Sequence, residues 1–263
     1  MSTSEHPLDL GVGFSQYFAL VPALDDDACR TVHRLRHDVY CRDLGYEPIR
    51  EDGLETDEYD RHSLHCLLRT AGPEKVPVGC VRIVLAKPEN PAYPLPFERT
   101  CAATLDRSII DPAQVPRGRV TEVSRLAVAS QFRRRKGEEN KPISIGDQDF
   151  GSVLHSRFPY IPVGLYLGSI ALALHHGIDH LFMLTEPRLA LHFQKIGFVM
   201  EQIGGPVEHR GTRVPSLLRA EETVEGLRWN LRGMYEVIHT SIKEAYASAG
   251  LPIPAIHEPH RDR

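Results

Sequence analysis

The chain has 263 residues, of which 41% are hydrophobic and 25% charged, and a formal net charge of −4 at pH 7. That length allows one large domain or two small ones with a sizeable core, and the charge balance excludes a generic nucleic-acid binder while leaving local basic patches open. Five cysteines, at 29, 41, 66, 80 and 101, are scattered and form no CxxC pair, as expected of reduced thiols in a cytoplasmic protein.

Residues 1–13 are polar, contain acids and lack an apolar core, which predicts a flexible lead and no signal peptide. Residues 14–22 read as a first strand that stops at Pro22. Asp25, Asp26 and Asp27 offer N-caps and acids matched to a helix dipole. The helix that follows places Val32, Leu35, Val39 and Tyr40 on one face, with Arg36 one turn from Tyr40. Residues 47–60 hold seven acids against Arg50 alone, which by composition is a solvated loop. Residues 62–69 and 76–85, parted by Gly72 and Pro73, predict an antiparallel hairpin. Residues 86–117 contain six of the 20 prolines and no periodicity; irregular connections of that length in compact domains are often functional.

Residues 119–130 form the next expected strand, and 136–160 a polar insertion. From residue 161 the pattern turns helical and apolar nearly all round, with Pro162 in the first turn and Gly177 past the end, so a buried helix is expected. Its apolar run is shorter than the about 20 residues a bilayer span needs, so no transmembrane segment is expected. Residues 180–185 read as a strand, 186–196 as an amphipathic helix closed by Gly197, 198–203 and 207–218 as two strands, and 223–249 as a last helix. No linker divides the chain. The expected organisation is one domain over 14–218, a C-terminal helical segment of 219–249 packed on it, and a flexible tail of 250–263. The element order predicts an α/β or α+β fold, a mixed sheet with helices on both faces.

Strand alternation puts Glu122 on one face with Ser124, Leu126 and Val128, and Arg125 on the other. A carboxylate on a mostly apolar face is expected to be buried, where desolvation brings its basicity toward neutral pH; the alternative is a structural Glu paired with a buried Arg such as Arg82. Arg82 stands in the apolar run VGCVRIVLA and needs carboxylate partners, from the acidic stretch or from Glu122, for structure or for catalysis. The cluster Arg133, Arg134, Arg135 and Lys136 is either a solvated turn or a landing site for phosphate or an acidic protein. One glycine followed by two acids, Gly137-Glu138-Glu139, makes a poor phosphate cradle. His62 and His65 fall on opposite strand faces, His175 and His176 end a helix, and no metal site is expected. GxSxG, Walker and GxGxxG patterns are absent.

Four short motifs occur in order: Leu35-Arg36-x3-Tyr40, Glu55-x-Asp57-x2-Asp60, Val78-Gly79-x2-Arg82 and Glu122-Val123-Ser124-Arg125. Together they resemble the acyl-homoserine lactone (autoinducer) synthases, which have the GNAT N-acyltransferase fold. The fuller runs EYDRHSLHCLLR, EVSRLAV…FRRR and GLYLGSIALAL…HLFMLTEPRLALHFQKIGF are more similar to acyltransferases associated with PEP-CTERM/exosortase systems, related to the N-acyl amino acid synthases. The resemblance covers roughly residues 14–218.

The resemblance implies a GNAT-like sheet splayed between two strands. The acyl chain and phosphopantetheine arm of an acyl carrier protein would lie in that gap, with no tightly bound cofactor. It implies catalytic roles for Glu122, Arg82 and Ser124, with Glu122 the general base. Arg36, Tyr40, Asp57, Asp60 and Arg125 would bind a small amino-acid-like amine, and Arg133 to Lys136 would dock the carrier protein. Autoinducer synthases carry a Trp soon after the first-helix motif; here that region reads CRDLGYEPI and the only Trp is Trp229, which points away from S-adenosylmethionine as the amine. The expected activity is transfer of a fatty acyl group from a carrier-protein or CoA thioester to an amine, in the cytoplasm. An S-adenosylmethionine-using synthase and a non-catalytic acyl or carrier-binding module are the alternatives.

Overall fold

The computed structural model describes residues 10–87, 89–90, 92–133 and 159–251. The described strands are β1 (Phe18–Pro22), β2 (Ser63–Thr70), β3 (Pro77–Leu85), β4 (Val120–Val128), β5 (His180–Thr185), β6 (Met200–Gln202), β7 (Val207–Glu208) and β8 (Thr212–Arg219). They form one sheet in the order β1-β2-β3-β4-β5-β8-β6, with β7 paired to β8. Only the β4–β5 pair is parallel.

The helices are α1 (Leu10–Tyr17), α2 (Asp26–Arg36), α3 (Pro96–Thr100), α4 (Tyr160–His175), α5 (Pro187–Lys195), α6 (Ala220–Gly226) and α7 (Trp229–Ser248). Helix α4 is apolar around its whole circumference because β3 lies on one side of it and α7 on the other. Phe14, Leu20, Leu165, Ile170, Met234 and Ile238 are buried in that layer. On the opposite face Val32 and Leu35 of α2, and Val39 just past it, pack against Leu67, Cys80 and Ala127. Asp25 caps α2 by accepting from the Ala28 N–H at 2.7 Å. The helix continues into a π-helical turn, His37–Asp43, that brings Tyr40 onto the sheet.

Several boundaries differ from the sequence expectation. The chain is helical over Leu10–Tyr17 where a flexible lead and the start of a strand were expected; Leu10 and Phe14, one turn apart, are both buried. Residues 207–218 are two strands around a turn in which Arg210 and Gly211 take positive φ, 54° and 94°. The last helix is two, α6 and α7. The chain turns extended at buried Leu227, where a Cβ on Gly197 would stand 3.2 Å from the Gly226 carbonyl oxygen.

Strand β4 departs most from simple alternation. Cys80 faces Ala127 and Arg82 faces Ser124, so two steps on β3 match three on β4. The extra residue lies in the 125–126 stretch, where Arg125 has φ 49°, a bulge geometry that non-glycine residues adopt rarely. The bulge reverses the faces beyond it. Glu122 and Ser124 share a side with Arg82 and Val84, while Leu126 and Val128 join the opposite core, which corrects the face expected for them. Parallel pairing of β4 with β5 ends at Glu122 opposite Phe182, although both strands run on. From there β5 is held by β8 alone, and a gap opens in the sheet.

The connection at 86–117 covers the end of the sheet beside that gap. Leu95, Phe97, Val84, Val120, Phe182 and Leu217 form a buried apolar cluster under it. Its far end is sewn to the chain after β6 by Asp106 N–H to Ile203 O (2.9 Å) and Gly205 N–H to Thr104 O (2.8 Å). A Cβ on Gly204 would lie 2.4 Å from the Thr104 oxygen and 2.9 Å from Pro215 Cγ. Gly204→Ala is therefore expected to lower unfolding free energy by about 1–3 kcal/mol, measured by denaturant titration, because backbone rather than a flexible side-chain tip must give way.

Candidate active site

The acidic stretch at 47–60 turns inward rather than into solvent. Asp57 and Asp60 shape it locally: Asp60 Oδ2 accepts from the Asp57 N–H at 2.7 Å, and Asp57 Oδ1 from the Tyr59 N–H at 2.9 Å. Three guanidinium groups then meet its carboxylates. Arg36 donates to Glu55 (2.5 Å) and twice to Asp60 (2.6 and 3.0 Å). Arg82 donates to Asp57 (2.6 Å), Asp60 (3.0 Å) and Ser124 Oγ (3.1 Å). Arg125 donates to Glu55 (3.1 Å) and Asp57 (3.0 Å), with Glu47 at 3.5 Å. Only Glu51, Asp52 and Glu58 of the seven acids are exposed. Burial alone would raise the pKa of Glu55, Asp57 and Asp60, but the arginines outweigh it and hold all three below the ordinary range.

Glu122 is the exception among these acids. It is 4% exposed and has no ion pair among the described residues; its Oε2 accepts the Phe97 N–H at 2.6 Å. Burial pushes its pKa up to about 8, against smaller lowering effects of the Phe97 N–H, Arg82 and Arg125. The structural pairing of Glu122 with Arg82, one of the two sequence alternatives, is not formed, since Arg82 is spent on Asp57, Asp60 and Ser124.

A cavity of about 610 Å³ fills the β4–β5 gap and reaches Glu122. Val123, Leu126, Tyr166, Met183 and Leu189 form its apolar wall, and Asp57, Arg82, Ser124 and Arg125 its ionic one. Arg210, Arg213, Arg188 and His209 also line it. Arg210 is ion-paired with Glu47 and stands over the Tyr46 ring at 5.5 Å, and Arg213 pairs with Glu186 at 2.8 Å.

Of the residues singled out from sequence, Tyr40, Asp57, Arg82, Glu122, Ser124 and Arg125 all line this one cavity. Tyr40 donates to the Leu126 carbonyl at 2.9 Å, and Arg125 lies over its ring at 5.7 Å. Arg36 and Asp60 are not among the residues that line it, and they brace it from behind. Arg133 is not a free docking cation: its side chain is 5% exposed and ion-paired with Asp43. Arg134, Arg135, Lys136 and nearly all of the 136–160 insertion lie outside the described residues.

Sequence reasoning missed Arg210, Tyr46 and the Phe97 N–H, since no spacing joins Glu47 to Arg210 or residue 97 to 122. It also missed that His33, Asp60 and His65 place ligating atoms within 4.8 Å of one another. Two guanidinium groups already bind the same Asp60 oxygen, so the cluster is hostile to a cation. Burial and then Arg36 push His65 down to about 3, keeping it neutral.

Comparison with known proteins bears on the fold. An acetyltransferase (GNAT) domain profile matches residues 35–140. The acyl-homoserine-lactone synthase of Rhizobium radiobacter is 26% identical over 178 residues, covering 68% of this chain and 71% of that protein. Among solved structures, the AHL synthase LasI has a TM-score of 0.54 at 17% identity, over 81% of this chain and 98% of its own. FeeM, an N-acyl amino acid synthase from uncultured soil microbes, has a TM-score of 0.50 at 14% identity, over 82% and 97%. The fold is the GNAT-like one expected from sequence, with its mostly antiparallel, splayed sheet.

Glu122 gives a stability test that is independent of turnover. Its carboxyl stays protonated in the folded protein up to about pH 8, whereas in the unfolded chain it ionises near its ordinary 4.5. The stability it contributes is full below that lower value and is lost as pH rises through about 8. The isosteric neutral variant Glu122→Gln escapes this loss. Its unfolding free energy relative to wild type is therefore expected to rise between about pH 5 and pH 8, read from urea titrations across that range.

Proposed function

We propose that this GNAT-fold N-acyltransferase, a relative of the acyl-homoserine lactone and N-acyl amino acid synthases, moves a fatty acyl group from a thioester to the amine of a small, amino-acid-like acceptor. The thioester is carried on the phosphopantetheine of an acyl carrier protein, or on CoA. The observation that carries this reading is the position of Glu122: a buried acid without an ionic partner among the described residues, at the last residue of β4 paired with β5, where the sheet opens into a cavity with one apolar and one ionic wall. An acyl chain fits the wall of Val123, Leu126, Tyr166, Met183 and Leu189, and a polar acceptor fits the wall of Asp57, Arg82, Ser124 and Arg125.

An ammonium has no lone pair, so its proton must leave before nitrogen attacks the thioester carbon. Glu122 is the acceptor of that proton and passes it on to solvent; as the tetrahedral adduct collapses and the C–S bond breaks, Glu122 takes the second N–H proton and gives it to the departing thiolate, which leaves an amide, a thiol and one proton released to water. Donors on β4 past Glu122, where no strand pairs on the β5 side, are placed to receive the oxyanion; one such donor is often worth about 10²–10³ in rate. Ser124, held by Arg82, and Arg125, braced by Glu55 and Asp57, orient the acceptor. Arg134, Arg135 and Lys136 supply positive charge for an acidic carrier protein, chiefly through the association rate. A cytoplasmic reaction, and the sequence likeness to PEP-CTERM/exosortase-associated acyltransferases, are part of this reading.

A second reading, an S-adenosylmethionine-using lactone synthase, is favoured by the Rhizobium radiobacter relative. Tyr46 stands on the cavity wall in the region where those enzymes have their Trp.

The test is to incubate the protein with acyl carrier proteins and acyl-CoAs of several chain lengths and a mixed amine pool that includes S-adenosylmethionine, and to identify products by mass. N-acyl amino acids are expected; release of methylthioadenosine would instead select the second reading. With the amine found, kcat/KM is expected to climb with pH through about 8, the value for Glu122 in the free protein. Glu122→Gln should lower turnover by about 10²–10⁴ and remove that climb. Wild-type turnover in Glu122→Gln would overturn the assignment.

A further inference from the structure

The irregular connection between β3 and β4 has no role in the chemistry above, yet it supplies the Glu122 carboxylate with its only hydrogen bond among the described residues, from the Phe97 N–H at 2.6 Å. Phe97 is completely buried, and its ring stacks on Phe182 with centroids 4.6 Å apart and planes 13° apart. Phe182 is the residue opposite Glu122 at the end of the β4–β5 pairing. The donor and the acceptor are thus brought to the same point by stacking as well as by the hydrogen bond.

Helix α3 is a single five-residue turn, far too short to persist by itself. Glu98 and Arg117 hold it. Glu98 Oε2 accepts the Leu95 N–H at 2.7 Å at the start of the turn. The same carboxylate takes two contacts from Arg117, at 3.0 and 3.4 Å. Arg117 Nη2 also donates to the Tyr93 carbonyl at 3.0 Å, so one guanidinium grips the connection before and within the turn. Both side chains are largely buried, at 13% and 8% exposure. Arg117 stands just ahead of β4, so the brace runs from the base of the strand that bears Glu122 to the turn that donates to it.

We propose that Glu98 and Arg117 are positioning residues for proton transfer at Glu122: their ion pair clamps the Pro96–Thr100 turn and keeps the Phe97 N–H aimed at the Glu122 carboxylate. The inference rests on Glu122 being the proton acceptor. A donated N–H favours the ionised carboxylate, so a turn that drifts away makes the buried acid harder to ionise. The other charged or titratable groups acting on Glu122 are Arg82 on β3, Arg125 on β4, Glu98 on α3, Cys101 just past α3 and Tyr59 in the acidic stretch. Removing the Arg117 charge leaves Glu98 uncompensated, which pushes Glu122 in the same direction as losing the N–H.

The experiment compares Arg117→Met, Arg117→Lys and Arg99→Ala with wild type. Arg99 lies on the same turn but pairs with exposed Glu58 and takes no part in the clamp. The Glu122 carboxyl is titrated in the free protein by ¹³C NMR, and the pH profile of kcat/KM is recorded alongside. In Arg117→Met the carboxyl and the rising limb are expected to move alkaline by about one pH unit, with turnover at pH 7 down about tenfold and KM for the thioester unchanged. Arg117→Lys, which still reaches Glu98, should return both to within about twofold of wild type, and Arg99→Ala should move neither. If Arg117→Met does not fold, Arg117→Gln, which keeps a donor for the Tyr93 carbonyl, carries the same test.

An unmoved Glu122 carboxyl overturns the clamp, even if the melting temperature falls. A carboxyl that moves in a protein whose turnover ignores Glu122→Gln supports the clamp and sinks the proposed chemistry instead.

Discussion

Two guanidinium groups, Arg36 and Arg82, are removed almost entirely from water in this protein, at 0% and 1% exposure. Burial of that kind is tolerated only where carboxylates reach the charge with good geometry, and removing one partner of such a pair typically costs about 3–5 kcal/mol. Glu55, Asp57 and Asp60 meet that demand and so draw the acidic stretch inward from the π-helical turn onto β3 and β4. Arg125 joins from β4, and three arginines then face three acids. The cluster is nearly neutral as a unit. It ties α2, the acidic stretch, β3 and β4 together at the place where the sheet is about to open.

That balance gives Glu122 its character. Of the three acids on the cavity wall, Asp57 and Glu186 have arginine partners and Glu122 has none. The nearby cations are already engaged by other carboxylates, so desolvation dominates and the proton is held up to about pH 8. The bulge contributes as well. If β4 kept regular alternation through Arg125, its side chain would point into the opposite core, away from Glu55 and Asp57. The left-handed backbone at Arg125 instead keeps it on the ionic side and turns Leu126 toward the apolar side of the gap. One local irregularity therefore gives the cavity both of its walls.

The parts of this arrangement that sequence makes legible are the periodic and the locally improbable ones. The hairpin of β2 and β3, the strand β5 and the buried helix α4 follow from apolar period and turn residues, because each is set by its own few residues. Arg82 inside an apolar strand and Glu122 on a mostly apolar one stand out for the same reason: each breaks a local rule. The inward turn of the acidic stretch was hidden, since seven acids look alike until the arginines that select Glu55, Asp57 and Asp60 are placed by other elements. The bulge was hidden too, because it depends on the register with β3 rather than on any residue in β4. Pairings such as Glu47 with Arg210 and Phe97 with Glu122 join segments whose closeness only the whole sheet determines.

A protonated, buried acid at neutral pH is a poor base on its own, and in the proposed reaction the charge of the incoming group changes that. The wall around Glu122 has no spare anion: Asp57 is committed to Arg82 and Arg125, and Glu186 to Arg213. In the proposed reaction, an acceptor arriving as an ammonium meets one acid of the described wall that has no cationic partner, Glu122. Ionising Glu122 to pair with the ammonium, or admitting the amine already neutral, reaches the same protonation state within the cavity. The near-neutral ionic wall thus does more than hold β4 in place. By engaging Asp57, it leaves Glu122 as the one acid of that wall, among the described residues, without a cationic partner.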